Sequence, residues 1–153
     1  MKECVLARLF IHGKGLSGST KKESMKSFYS RSLHRELLEK EIRSLASMVT
    51  GMVLDAGSKN RRYDSYFTNA DKITAIDINP QREDVLKADL LSVPFADSFF
   101  DTVVSFETLE YVLDTKKAIH QVARVLKKDG LFIFSVPFLD PVHGDIDSVR
   151  YTS

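Results

Sequence analysis

Five short apolar runs, each strand-sized and each followed by polar residues, most limit what this chain can fold into. They are Met52–Leu54, Ile73–Ile78, Val85–Ala88, Thr102–Phe106 and Leu131–Val136. The runs are rich in Val, Ile and Phe and apolar on both sides, as strands of a parallel sheet buried between helices must be. Between the fourth and fifth, Thr115 to Lys128 places Ala118, Ile119, Val122, Val125 and Leu126 on one helical face. Lys127 and Lys128 are expected at the C-terminus of that helix, with Gly130 as its stop. Strands alternating with helical or polar stretches predict an α/β fold: a Rossmann-like, doubly wound, mostly parallel sheet of about five strands.

Upstream of the sheet the pattern changes. From about Lys22 to Val49, Met25, Phe28, Tyr29, Leu33, Leu37, Leu38, Ile42, Leu45 and Val49 recur at three- and four-residue steps. That is an amphipathic helix or two, with Arg35, Glu39, Lys40 and Arg43 on the wet face, packed on the sheet or lying over a ligand site as a lid. Residues 1–20 hold Gly13, Gly15 and Gly18 among Ser and Lys, and read as a flexible arm. GKGLSGST lacks the residue order of a phosphate-binding loop. The expected organisation is therefore 1–49, arm and helical extension, and 50–153, the sheet domain.

Composition narrows the function classes. A formal net charge of +1 gives no footprint for nucleic acid, and the single Cys4 cannot form an internal disulfide. The run Cys4–Ile11 is too short to span a bilayer and has no cleavage site after it, so no membrane role is expected and the cytoplasm is the expected location.

In a doubly wound sheet, ligands bind beyond the carboxyl ends of the strands. The polar residues there are Asp55 and Gly57, Asp77 and Asn79, Asp89, Ser105 and Glu107. Gly57 allows positive φ or a close backbone approach. Asp77 has the two acceptor oxygens needed for the hydroxyls of a ribose. Asp89 suits an exocyclic amine, with Leu90, Val93 and Phe95 near a flat base. An aspartate at a strand end also serves as a simple cap. Three acids on successive strand ends are the stronger signal.

These residues carry a resemblance. VLDAGSKN, ITAIDINP, PFADSFFDTVVSFETLEYV and ARVLKKDGLFIFSVP, in that order and spacing, resemble the class I S-adenosylmethionine-dependent methyltransferases, in particular the methyltransferase type 11 group, over about residues 50–151. The resemblance implies S-adenosyl-L-methionine as cofactor. Asp55 and Gly57 would border its methionine end, Asp77 would bind the ribose, and Asp89 the adenine amine. Leu90 would pack on the base and Glu107 would lie beside the cofactor. It further implies methylation of a small-molecule or polymer-precursor acceptor. A nicotinamide dehydrogenase would need G-x-G-x-x-G, which GSKNRR does not supply.

The chain departs from the family in several places. Where the family's loop reads G-x-G-x-G, this one reads Gly57-Ser58-Lys59-Asn60-Arg61. Tyr111 replaces a histidine in the usual Leu-Glu-His-Val. His143-Gly144-Asp145 to Arg150-Tyr151-Thr152 resembles a segment that in the family precedes two further strands, which are absent before Ser153. The sheet is therefore expected to be short, its fifth strand an open edge that a second copy or another chain would cover. His143 is the candidate general base, with Asp140, Asp145 and Asp147 near it in sequence. No metal site is expected from one histidine and scattered acids. The alternative to an enzyme is an inactive remnant of the fold, kept as a cofactor-binding or protein-interaction module.

Overall fold

The computed structural model describes the backbone of residues 5–9 and, with side chains, residues 34–136. All five expected strands are present: β2 (Gly51–Ala56), β3 (Ala70–Asp77), β4 (Val85–Lys87), β5 (Phe100–Phe106) and β6 (Leu126–Ser135). A sixth, β1 (Val5–Leu9), comes from the segment expected to be a loose arm. The sheet order is β1-β6-β5-β2-β3-β4, and every pairing is parallel.

β1 pairs with Leu131–Ser135 of β6. The edge for which the sequence suggested a second chain thus gets its neighbour from this chain. Unpaired strand N–H and C=O groups are costly when covered and sticky when bare, so an apolar strand-length run in the same chain is an effective partner.

Successive residues of the central strands face opposite sides and build two cores. Leu54, Val103 and Phe132 pack on one side with Ala118, Val122 and Val125 of α2 (Thr115–Val125). Val53, Val104 and Ile133 pack on the other with Leu38 and Ile42 of α1, the helix through residues 34–45. α1 therefore covers one sheet face, as its apolar stripe requires. The part of the expected helix before residue 34 lies outside the described residues.

The end of α2 differs from expectation. The helix stops at Val125, and Leu126 is already extended and paired with Phe100. Lys127 and Lys128 belong to β6, and the Lys127 ammonium meets Asp101 at 2.7 Å. Burial of Leu126 in the sheet core outweighs the basic, helix-ending look of the pair. The link between β2 and β3 holds only a single 3-10 turn, Asp64–Tyr66, so a compact loop rather than an α-helix makes this crossover.

Candidate functional site

The chain leaves β2 towards β3 and β4 on one side, and β5 leads to β6 on the other. β2 and β5 are neighbours without being consecutive among the strands, so their carboxyl ends flank the point where the winding reverses. The fold brings Asp55, Gly57, Asp77, Asp89 and Glu107 to this one edge of the sheet.

Gly57 begins the loop with φ 84°, and its N–H and that of Ser58 both bond the Ile76 carbonyl at the end of β3 (2.8 and 3.0 Å). A Cβ here would collide with the side chain of Thr108, so only glycine fits. Two positions on, Lys59 has φ 50°, and two further on, Arg61 has φ 57°. The three glycine positions of G-x-G-x-G thus all keep a left-handed backbone, although two of them carry long side chains.

Hydrogen bonds hold these strained residues in place. Lys59 N–H donates to Asp77 Oδ2 (3.0 Å), and Arg61 N–H donates to Ser58 Oγ (3.1 Å). The Arg61 guanidinium donates to Asp64 Oδ2 and to the carbonyls of Asp84 and Ile73 at 2.7, 3.0 and 3.2 Å.

Asp55 is enclosed by this loop and only 3% exposed. Burial pushes its carboxyl up to about 7 from an ordinary 3.8. A hydrogen bond from Ser58 opposes the shift, and neighbouring Asp64 adds to it. Asp77 is half-buried, with its second oxygen accepting from Asn79 N–H at 2.7 Å. Each Asp77 oxygen therefore braces backbone and still has a lone pair for another donor. Asp89 is exposed, its Oδ1 accepting from Leu91 N–H at 2.8 Å, and Leu90 beside it is buried in the core that includes Leu54 and Ile76.

Glu107 also has a left-handed backbone, φ 51°. Its carboxylate accepts from Ser135 Oγ at 2.6 Å and lies 3.0 Å from His34 Nε2, joining the ends of β5 and β6 to α1. Tyr63 packs edge-on against Phe106, and burial raises its phenol above the ordinary value.

Sequence reasoning missed His34, Ser135, Thr108 and the Arg61–Asp64 pair. His34 is 73 residues from Glu107 in sequence, and only the folded helix brings them together. Asp64 carried a faint signal, as an acid three residues after an arginine. His143 lies outside the described residues.

The methyltransferase domain family model matches residues 54–134, more than half of the chain, including Asp55, Gly57, Asp77, Asp89 and Glu107. This chain belongs to the methyltransferase domain family. The chain is 32% identical over 117 residues to an uncharacterized protein of Methanocaldococcus jannaschii, covering 72% of this chain and 45% of that one. It is 36% identical over 56 residues to a protein of Mycobacterium tuberculosis described as a probable S-adenosylmethionine-dependent methyltransferase, covering 37% of this chain and 20% of that one. The chain thus spans less than half the length of these relatives. Among solved structures, the YcgJ protein of Bacillus subtilis superposes with a TM-score of 0.56 at 25% identity, over 66% of this chain and 50% of that one.

The family and the fold imply S-adenosylmethionine as the cofactor. The residues present suit it chemically: a glycine with no room for a side chain where the loop turns, and the Asp77 and Asp89 carboxylates at the ends of β3 and β4, each with acceptor capacity to spare. Among the described residues, no group of three or more His, Cys, Asp or Glu is placed to hold a metal ion. No helix among them is long and apolar enough to cross a membrane.

Proposed function

We propose that the domain binds S-adenosylmethionine across the carboxyl ends of β2, β3 and β4 and transfers its methyl group to a small-molecule or polymer-precursor acceptor. The observation that carries this reading is the loop: positions 57, 59 and 61 all keep the left-handed backbone of a glycine-rich turn, although two of the three glycines are absent. A chain under no demand to keep that shape has little reason to hold Lys59 and Arg61 in strained conformations.

When bound, the cofactor supplies a methyl group activated on a sulfonium. The residues then have distinct tasks. Asp77, its carboxylate fixed by Lys59 and Asn79 N–H groups, accepts from the ribose hydroxyls. Asp89 accepts from the adenine amine, with Leu90 supporting the base. Gly57 keeps side chains away from the methionine end. Asp55 acts from beneath, shaping the loop rather than reaching the ligand, in keeping with its burial. Glu107, braced by Ser135 and His34, places a negative charge beside the cofactor. Holding acceptor and methyl in line supplies much of the rate in such a transfer. His143 is the proposed proton acceptor where the acceptor needs one.

Calorimetric titration with S-adenosylmethionine tests the reading. One equivalent is expected to bind with measurable heat and to raise the melting temperature, because a ligand that binds only the folded state stabilises it. Neither heat nor a thermal shift at millimolar cofactor would overturn it.

A further inference from the structure

Glu107 lies on the wrong side of the sheet for its place in the sequence. Along β5, Val103 packs with α2 and Val104 with α1. Alternation would send residue 107 to the α2 side with Val103. Its carboxylate instead meets His34 of α1, the helix on the opposite face. The left-handed backbone at Glu107, φ 51°, breaks the alternation just beyond the strand. Such a backbone is strained for any residue with a Cβ, and strain of this kind persists only where the surroundings hold it.

The holders are two side chains from distant parts of the chain. Glu107 N–H donates to the carbonyl and the Oγ of Ser135 (3.2 and 3.1 Å), and the Ser135 hydroxyl donates back to Glu107 Oε1 (2.6 Å). His34 lies at the other carboxylate oxygen, with Nε2 3.0 Å from Oε2. A carboxylate only accepts, so the imidazole donates from Nε2. Among the described residues, no ammonium or guanidinium pairs with this carboxylate. A hydroxyl and an imidazole carrying one proton fix its direction and leave its charge uncancelled. The next residue carries the arrangement to the cofactor loop. Thr108 Oγ1 donates to the Gly57 carbonyl at 3.4 Å, and the Thr108 side chain fills the space that a Cβ at position 57 would need.

We propose that His34 is a positioning residue which, with Ser135, holds the Glu107 charge at the crevice between β2 and β5, and that this charge tilts the site towards a cationic sulfonium over its neutral thioether product. The inference rests on the function proposed above and adds to it a means of product release. Methyl transfer leaves the sulfur uncharged, so the attraction that holds the substrate is lost once the reaction is done.

Calorimetric titration of the full chain with S-adenosylmethionine and with S-adenosylhomocysteine gives the ratio of the two affinities. A slack or misfolded site weakens both ligands together, whereas a removed or misplaced charge changes the ratio. In Glu107→Gln, the affinity for S-adenosylmethionine relative to S-adenosylhomocysteine is expected to fall about 10-fold. His34→Leu, which has no donor, is expected to lower it about 3-fold. His34→Gln, whose amide N–H can reach the same oxygen, is expected to restore it to within about 2-fold. Ser135→Ala removes the other holder without adding volume and is expected to repeat the fall seen in His34→Leu. An unchanged ratio in Glu107→Gln or in His34→Leu overturns the proposal, as does His34→Gln behaving like His34→Leu. Should His34→Leu fail to fold, an unchanged ratio in Ser135→Ala overturns it instead. No binding of either ligand to the unaltered chain overturns the proposed function, and this inference with it.

Discussion

Lys59 and Arg61 occupy left-handed backbone for different reasons, and substitution separates them. A non-glycine residue in that region costs about 1–2 kcal/mol. The Lys59 bond to Asp77 comes from its backbone N–H, which glycine retains. Lys59→Gly is therefore expected to leave stability unchanged or raise it by up to about 1 kcal/mol, after the extra chain entropy of glycine. Arg61 also ties Asp64, Asp84 and Ile73 through its side chain. Arg61→Gly is expected to lower stability by about 1–3 kcal/mol, the range for leaving buried partners unsatisfied. Urea denaturation of both variants checks the opposite signs, and equal losses would contradict this account of the loop. The residue types alone showed one glycine of three; the conformations at 59 and 61 were not legible, because they depend on hydrogen bonds that Lys59 and Arg61 donate to Asp77, Ser58 and Asp64.

Among the elements, strands in the middle of the sheet were legible and its margins were not. β2, β3 and β5 announce themselves because both their faces are buried, which forces continuous apolar runs. β6 was read from Leu131 onward, whereas it begins at Leu126 behind an irregularity near Phe100 and a left-handed Asp129. β1 is set by its register with Leu131–Ser135, a pairing between distant parts of the chain that no local pattern encodes. Removing residues 1–9 is expected to bare the β6 edge and drive self-association. Light scattering of the shortened chain should show dimers or larger species that the full chain does not form at equal concentration. A monodisperse monomer that stays soluble would mean β1 is not the needed cover.

For the whole molecule, the strand order puts β2 beside β5 and so fixes where a ligand can sit. The acids chosen from the sequence are gathered at that edge because each ends a run that becomes a strand. His34 and Ser135 were invisible there, since their relevance comes only from meeting Glu107 across α1, β5 and β6.

The central claim is that this edge holds S-adenosylmethionine, with Asp77 on the ribose. Its most direct test is the affinity of S-adenosylhomocysteine for the unaltered chain and for Asp77→Asn, with melting curves confirming that both are folded. Losing charge-assisted hydrogen bonds of about 1–3 kcal/mol predicts binding roughly 5- to 150-fold weaker in Asp77→Asn. Equal affinity in the two folded proteins would contradict the claim.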